Sequence, residues 1–256
     1  GRTTVLEPES LRRQFGELVA VDDVSVAIDS TEITSIIGPN GAGKTTFYSL
    51  LTGALEPTDG RVFITDADDG REELTGRPTH EVARRGLSRA YQINNSFPGM
   101  SVLDNLRVAR IAATGRSKEL RTRYRDDTGL TESAREVLQM MNLMDVAETT
   151  VSNLSHGDKR KVEIALSLAT DPTVVLLDEP TAGMNPSESA DMVELIKDID
   201  ETTETTFVLT EHDIDMVLDI SDRILVLHQG RLIADGPPAT VMDDEAVTTA
   251  YLGEQP

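Results

Sequence analysis

The chain contains the sequence Gly38-Pro39-Asn40-Gly41-Ala42-Gly43-Lys44-Thr45-Thr46. A β-branched run at residues 32–38 predicts a strand in front of it, and residues 44–53 predict a helix directly behind it. Glycines allow the backbone to wrap around a phosphate, and the N–H groups and dipole at the start of a helix favour an anion. This pattern, G-x-x-x-x-G-K-[ST], therefore predicts a phosphate-binding loop in which Lys44 reaches the β- and γ-phosphates and Thr45 can bind Mg²⁺.

Strands and helices alternate along the rest of the chain. Apolar periodicity and turn residues predict further strands at residues 18–28, 61–65, 174–177, 205–209 and 224–228. They predict helices at residues 102–115, 131–144, 162–169, 188–199 and 214–219, and a short helix in the tail 237–252. This alternation predicts an α/β fold with a mostly parallel sheet and helices on its faces.

The chain has no predicted strand between about residues 91 and 155. We therefore expect a helical subdomain, approximately residues 91–159, inserted in a core formed by residues 1–90 and 160–236, with a C-terminal tail from 237 to 256. Residues 116–128 are polar, and they fit either a loop between two helices or a continuation of one of them.

Two carboxylates follow the apolar run at residues 174–177. Asp178 stands at the end of the predicted strand, where a protein with a phosphate-binding loop holds its magnesium ion. Glu179 lies one residue further and can polarise a water molecule that attacks the γ-phosphate. The alternative is a strand that ends in a solvated acidic turn, which is common in so acidic a chain.

A second candidate anion site precedes the helix predicted at residues 162–169. Ser155 and Gly157 stand in the segment Leu154-Ser155-His156-Gly157-Asp158-Lys159-Arg160. The start of a helix exposes N–H donors, and a serine there adds a hydroxyl group. Taken alone, this segment is better explained as an ordinary serine N-cap.

The order of four motifs resembles the ATP-binding subunits of ABC transporters. These motifs are the phosphate-binding loop, the Leu154-Ser155-x-Gly157 segment, the strand end Leu176-Leu177-Asp178-Glu179-Pro180, and Thr210-Glu211-His212-Asp213. The resemblance extends from about residue 15 to residue 252. It implies a P-loop NTPase core of RecA-like type with a mostly parallel sheet, an N-terminal antiparallel β subdomain and an inserted helical subdomain.

The resemblance also implies roles for three residues outside these motif cores. Phe15 corresponds to the aromatic residue that stacks on adenine, although a hydrophobic residue at a strand end is the simpler interpretation. Gln92 corresponds to the glutamine that contacts magnesium and senses the attacking water. His212 corresponds to the histidine that contacts the γ-phosphate. The implied ligands are ATP, bound by Phe15 and residues 38–46, and Mg²⁺, bound by Thr45, Gln92 and Asp178.

Members of this family work as head-to-tail pairs, so the resemblance implies a second ATPase subunit, identical or different. Each ATP then lies between the phosphate-binding loop of one subunit and Ser155 and Gly157 of the other. The further implied partners are a transmembrane permease, which places the chain at the cytoplasmic face of the plasma membrane, and indirectly an extracytoplasmic solute-binding protein. We expect residues 94–100 to line the groove in which the permease docks.

Two positions depart from the usual family pattern. Gly157 is flanked by His156 and Asp158 where Gly and Gln are common, and Asn185 replaces the usual Asp. The segment that contains Asn185, residues 181–186, resembles the ATPases of branched-chain amino-acid uptake, as do residues 211–217, residues 220–224 and the tail near residues 250–253. The ATPases of urea or short-amide importers and of lipopolysaccharide exporters are close alternatives.

Composition excludes several other classes of protein. The 256 residues include no cysteine, which excludes disulfides and cysteine-ligated metals, and 45 acidic against 24 basic residues give a net charge of −21, which disfavours nucleic-acid binding. The apolar runs are too short for a membrane span. Only five of the basic residues are lysine, a composition that suits a salty, halophilic cytoplasm.

Three rival functions fit the sequence less well. Soluble ABC ATPases that act on ribosomes or DNA usually carry two cassettes or long coiled coils, for which 256 residues leave no room. A small-molecule kinase does not explain the Ser155 segment or His212. A regulator that binds ATP without hydrolysing it does not need both Glu179 and His212.

Overall fold

The computed structural model describes residues 3–30, 32–65, 70–90, 96–113 and 128–252. Within these ranges the strands are β1 Thr4–Phe15, β2 Leu18–Val24, β3 Ile28–Asp29, β4 Thr34–Ile37, β5 Asp59–Thr65, β6 Arg71–Glu73, β7 Leu87–Arg89, β8 Val174–Asp178, β9 Thr206–Thr210, β10 Arg223–His228 and β11 Arg231–Gly236. The helices are α1 Lys44–Leu51, α2 Thr79–Arg84, α3 Val102–Ala113, α4 Thr128–Met140, α5 His156–Leu168, α6 Pro186–Thr202, α7 Ile214–Ile220, α8 Pro238–Met242 and α9 Glu245–Leu252.

A six-stranded sheet in the order β11-β10-β4-β9-β8-β7 forms the centre of the fold. All of its strand pairs are parallel except β10 with β11. On β8, Val175 and Leu177 belong to one buried cluster, and Val174 and Leu176 belong to another on the opposite face. A strand covered on both faces is apolar throughout, which explains the unbroken run at residues 174–177. The predicted α/β fold with a mostly parallel sheet is confirmed.

A second, antiparallel sheet has the order β2-β1-β5-β6, with β3 paired to β1. Its longest strand, β1, was not predicted from the sequence. Pro8, a positive φ of 47° at Ser10 and shifts of register against β2 and β5 interrupt its alternation. These irregularities remove the period of two on which the prediction of a strand depends.

Helices α3, α4 and α5 share one buried cluster with one face of the central sheet. Asn105, which is 1% exposed, ties the preceding loop to α3. Its Nδ2 donates hydrogen bonds to the carbonyl oxygens of Phe97 at 3.0 Å and Ser101 at 2.9 Å, and its Oδ1 accepts one from the Phe97 N–H at 2.7 Å. The loop of residues 96–101 is therefore held by hydrogen bonds to a buried side chain. Of the polar stretch predicted at 116–128, only Thr128 is described, and it begins α4.

Several predicted boundaries were wrong. Helix α5 begins at His156 rather than at residue 162, because the Ser155 side chain caps it with a hydrogen bond from the Asp158 N–H. The tail contains two helices, α8 and α9, rather than one. Four short elements, α2, β6, β7 and β11, were not predicted from the sequence. In the described parts of the chain, no helix has both the length and the apolar character needed to cross a membrane.

Candidate nucleotide-binding site

The phosphate-binding loop lies between β4 and α1 and is closely surrounded by backbone. A Cβ atom at Gly38 would stand 2.2 Å from the Leu227 carbonyl oxygen, and one at Gly43 would stand 2.4 Å from the Ala20 carbonyl oxygen. Gly43 also has φ at 101°, which disfavours any residue with a side chain. Neighbouring strands therefore leave no room for a side chain at either position. This requirement for glycine adds to the need for a backbone that can wrap around a phosphate.

Lys44 begins α1 and is 9% exposed. Its Nζ donates hydrogen bonds to the carbonyl oxygen of Gly38 and, at 3.3 Å, to that of Pro39. The ammonium group consequently lies within the curve of the loop, beside the first N–H groups of α1. This arrangement concentrates positive potential where an anion can bind.

Asp178, at the end of β8, accepts hydrogen bonds on both carboxylate oxygens. The Thr210 hydroxyl donates to Oδ1 at 2.8 Å, and the Arg89 guanidinium donates to Oδ2 at 2.6 Å. The Tyr48 hydroxyl, one turn after Lys44 on α1, donates to the Val208 carbonyl oxygen at 3.0 Å. Burial raises the pKa of Tyr48 well above its usual value, and the charge of Asp178 adds to this effect, so the hydroxyl remains a donor. These contacts connect α1 to the ends of β8 and β9.

Glu179 and His212 face each other at this edge of the sheet. Glu179 Oε1 lies 2.5 Å from His212 Nε2, and their side chains are 39% and 48% exposed. Glu179 has φ at 50°, a conformation that costs energy for a residue with a side chain and is found at functional sites. Its N–H donates to the Thr210 carbonyl oxygen at 3.0 Å. The structure thus places the two predicted catalytic side chains side by side and accessible.

Glu211, next to His212, was not singled out in the sequence. It is 5% exposed, and its Oε1 accepts hydrogen bonds from the Thr181 hydroxyl at 2.8 Å and the Thr181 N–H at 3.1 Å. This buried carboxylate joins the turn after Glu179 to the turn that carries His212. Arg89 was missed as well, because it belongs to a three-residue strand with no periodic signal.

Ser155 and Gly157 lie at the start of α5. The Ser155 hydroxyl pairs with Asp158, accepting from its N–H at 3.1 Å and donating to Oδ2 at 2.9 Å, so its side-chain bonds stay within its own helix turn. A Cβ atom at Gly157 would meet nothing within 4 Å. His156 Nε2 lies 3.4 Å from the Ala182 carbonyl oxygen, in the turn after Glu179. This helix start is accessible to another molecule, as a second anion site requires.

Phe15 ends β1 at the hairpin to β2 and is 43% exposed. The hairpin contacts the phosphate-binding loop through Ala20, whose carbonyl oxygen is closest to the Cβ position of Gly43. The guanidinium carbon of Arg13 lies 4.6 Å from the centroid of the Phe15 ring. Phe15 is therefore an accessible aromatic ring on a hairpin that packs beside the loop.

Asn185 has a local role that is compatible with its presence in place of Asp. It is the N-cap of α6, and its Oδ1 accepts hydrogen bonds from the N–H groups of Ser187 and Glu188, both at 3.0 Å. The Glu188 carboxylate in turn accepts one from the Asn185 N–H at 3.0 Å. Asn and Asp are about equally good N-caps, so this capping box tolerates the exchange.

Two of the side chains predicted to bind magnesium have the chemistry that this ion prefers. Among the described residues, no group of three or more His, Asp or Glu side chains can hold a metal ion. The Thr45 hydroxyl and the Asp178 carboxylate are hard oxygen donors, and Mg²⁺ is commonly bound by one or two such groups together with substrate phosphates. The predicted donors fit that ion. Gln92 lies outside the described residues.

Comparison with known proteins places these features in a family. Residues 21–182 match the family model described as ABC transporter, and residues 231–255 match one described as branched-chain amino acid ATP-binding cassette transporter. The chain is 38% identical to the high-affinity branched-chain amino acid transport ATP-binding protein BraF of Pseudomonas aeruginosa, over 98% of both chains. It is 34% identical to the lipopolysaccharide export system ATP-binding protein LptB of Haemophilus influenzae, again over 98% of both chains.

Solved structures show the same fold. A nucleotide-free ATP-binding cassette from an ABC transporter superposes with a TM-score of 0.83 at 29% identity, covering 98% of this chain and 100% of the other. An ABC transporter cassette in its ADP conformation superposes with a TM-score of 0.85, also at 29% identity and with the same coverage. A dimeric cassette bound to ADP and Pi has a TM-score of 0.72 at 25% identity, covering 91% of this chain and 98% of the other.

The ion pair between Arg89 and Asp178 gives a prediction about stability. Arg89→Met leaves the Asp178 carboxylate with Thr210 as its remaining partner, so we expect unfolding free energy to fall by about 1–3 kcal/mol. This is less than for a fully buried pair, because the Asp178 side chain is 28% exposed. Urea denaturation followed by circular dichroism measures the loss.

Arg110→Met is the matched control. The Arg110 side chain is 14% exposed, but its carboxylate partner, Asp171, is 78% exposed. We expect the control to lose less than about 1 kcal/mol from its ion pair. Equal losses in the two variants would contradict a specific contribution of Arg89 to holding Asp178.

Proposed function

Since the chain belongs to the ABC transporter ATP-binding family, we propose that it hydrolyses ATP to drive uptake of branched-chain amino acids through a separate membrane permease. The observation that carries the substrate class is the match of residues 231–255, together with 38% identity to BraF over nearly the whole chain. The relationship to LptB supports lipopolysaccharide export as a second candidate, at the lower identity of 34%.

In the proposed reaction, the phosphates of ATP bind to the N–H groups of the loop and to Lys44. Thr45, Asp178 and Gln92 would hold Mg²⁺, which would supply positive charge to neutralise the phosphates. Glu179 orients the attacking water and accepts its proton, and its accessible position beside His212 supports that role. His212, beside Glu179, stabilises the γ-phosphate. Glu211 fixes the distance between the two turns that carry these side chains.

The proposed active form is a head-to-tail dimer. The accessible helix start at Ser155 and Gly157 supports it, because a Cβ atom at Gly157 would meet nothing within 4 Å and a second chain can therefore approach these N–H groups closely. The related cassette with ADP and Pi is described as dimeric, which also supports it. Each ATP would then be bound between Lys44 of one chain and Ser155 of the other, so that hydrolysis releases the contact.

The proposed permease contact is the docking loop, residues 96–101. Phe97 exposes 50% of its surface there, although Asn105 rigidly holds its backbone. An exposed aromatic ring on a fixed backbone loses little entropy when a partner covers it. The permease would hold the chain at the cytoplasmic face of the membrane and connect it to a solute-binding protein on the other side. Of the groove expected at 94–100, residues 94 and 95 lie outside the described chain.

We also propose a saline cytoplasm as the working environment. The net charge of −21 favours it, because repulsion between exposed carboxylates weakens as salt shortens the screening length from about 10 Å at 0.1 M to about 3 Å at 1 M.

Glu179→Gln tests the catalytic assignment. The amide cannot accept a proton, so we expect ATP hydrolysis to fall at least about 100-fold while ATP binding continues. The variant should then accumulate as an ATP-dependent dimer in size-exclusion chromatography. Glu194→Gln, an exposed position on α6, is the control and should behave like the unmodified chain. A Glu179→Gln chain that stays monomeric with ATP would refute the sandwiched dimer.

Phe97→Ala tests the permease contact. Loss of an exposed anchor should reduce leucine uptake by cells that express the complete transporter by about tenfold, a typical effect for an interface aromatic. ATP hydrolysis by the purified chain should be unchanged, because Phe97 is not one of the residues proposed to bind or hydrolyse ATP. Leu218→Ala, at a 41% exposed position on α7, is the matched control and should retain uptake. Equal uptake in both variants would exclude Phe97 from the contact.

The salt dependence of unfolding tests the proposed environment. We expect the thermal midpoint to rise by several degrees between about 0.1 and 1 M KCl, because screening removes repulsion that is greater in the compact state. Differential scanning calorimetry measures the midpoint, and sucrose at the same osmolality distinguishes screening from general exclusion effects. A midpoint that falls with KCl would contradict the proposal.

A further inference from the structure

Arg13 and Phe15 occupy the same face of the end of β1. They are two residues apart on a strand, and the Arg13 guanidinium carbon lies 4.6 Å from the centroid of the Phe15 ring. That distance is within the range of a cation–π interaction, in which a cation is attracted to the electron-rich face of an aromatic ring. One face of the exposed ring is therefore occupied by a charged group of the chain itself.

The Arg13 side chain is fixed from its other side. Its Nη1 donates a hydrogen bond to the Glu56 carbonyl oxygen at 2.8 Å, in the loop between α1 and β5. The neighbouring Gln14 N–H donates to the Thr58 hydroxyl in the same loop at 3.0 Å. Since α1 begins at Lys44, these bonds connect the ring of Phe15 to the helix that follows the phosphate-binding loop. These bonds therefore help to fix the distance between the Phe15 ring and the loop predicted to bind the phosphates.

We propose that Arg13 is a positioning residue for the nucleotide base, acting through Phe15. The proposal rests on the proposed function, specifically on the stacking of adenine on Phe15. The guanidinium holds one face of the ring and leaves the other face to the base, so the ring is already oriented before ATP binds. A ring that needs no ordering on binding gives a higher affinity for the same stacking contact.

The experiment is a double-mutant cycle on the purified chain, with Arg13→Met, Phe15→Leu and the two combined. The KM for ATP and kcat are measured for each. We expect Arg13→Met to raise KM about two- to fivefold, the effect of an exposed cation–π contact, with kcat at saturating ATP little changed. In the Phe15→Leu background the same substitution should leave KM unchanged, because the ring through which Arg13 acts is absent. Arg13→Lys, which keeps the charge, should recover part of the affinity.

Arg71→Met is the matched control. The Arg71 guanidinium carbon lies 3.5 Å from the centroid of the Phe63 ring, in the same antiparallel sheet but in its β5–β6 part. Removing this second cation–π contact should leave KM for ATP unchanged. Thermal unfolding of every variant separates loss of fold from loss of affinity, and Arg13→Lys carries the comparison if Arg13→Met does not fold.

Three outcomes would overturn the proposal. If the rise of KM in the double variant equals the product of the rises in Arg13→Met and Phe15→Leu, Arg13 acts independently of Phe15. An equal rise of KM in Arg71→Met would show a general effect on the sheet. An unchanged KM in Phe15→Leu would remove the assignment of the base to that ring, and with it the role of Arg13. In the last case the proposed hydrolysis of ATP would still stand, because Glu179→Gln tests it separately.

Discussion

The close approach of three backbone segments around the phosphate-binding loop determines the rest of the structure. The β10–β11 turn meets both the loop and the hairpin of the antiparallel sheet, since the Gly230 N–H donates to the Ala42 carbonyl oxygen at 2.9 Å and the Asp22 N–H donates to the Gly230 carbonyl oxygen at 2.8 Å. A Cβ atom at Gly230 would stand 2.7 Å from the Ala20 carbonyl oxygen. The antiparallel sheet is thus fastened to the central sheet at the phosphate site itself, and Phe15 takes its position from that junction.

The parallel sheet supplies the remaining geometry. Strands β8 and β9 are neighbours in register, with Asp178 opposite Thr210, so both strands end at the same edge. Asp178 and Glu179 follow from one strand end, and Glu211 and His212 follow from the next. A buried apolar strand can carry charged side chains only where it leaves the core. This explains why the candidate catalytic and metal-binding side chains lie at this edge. The Arg89 guanidinium, from the edge strand β7, compensates the charge of Asp178 there.

The sequence predicts the parts of this arrangement that depend on local pattern. The phosphate-binding loop, the apolar run before Asp178 and the helices on the sheet follow from periodicity and turn residues within short windows. The strand β1 was not predictable in this way, because its bulges are stabilised by pairing with β2 and with β5, and β5 lies far along the chain. The same reason hides Arg89 and Glu211. Each is an ordinary polar residue in the sequence, and its significance comes from a partner brought near only by folding.

The geometry of the site explains how so acidic a chain can bind an anionic nucleotide. A chain with a charge of −21 repels a nucleotide at long range, and the site itself contains the carboxylates of Asp178 and Glu179. Binding therefore depends on positive groups held at short range, where screening by salt is least effective. Lys44 provides one inside the curve of the loop, and the first N–H groups of α1 provide another. Because salt reduces the long-range repulsion more than these close contacts, a saline environment favours binding of the anion by so acidic a protein.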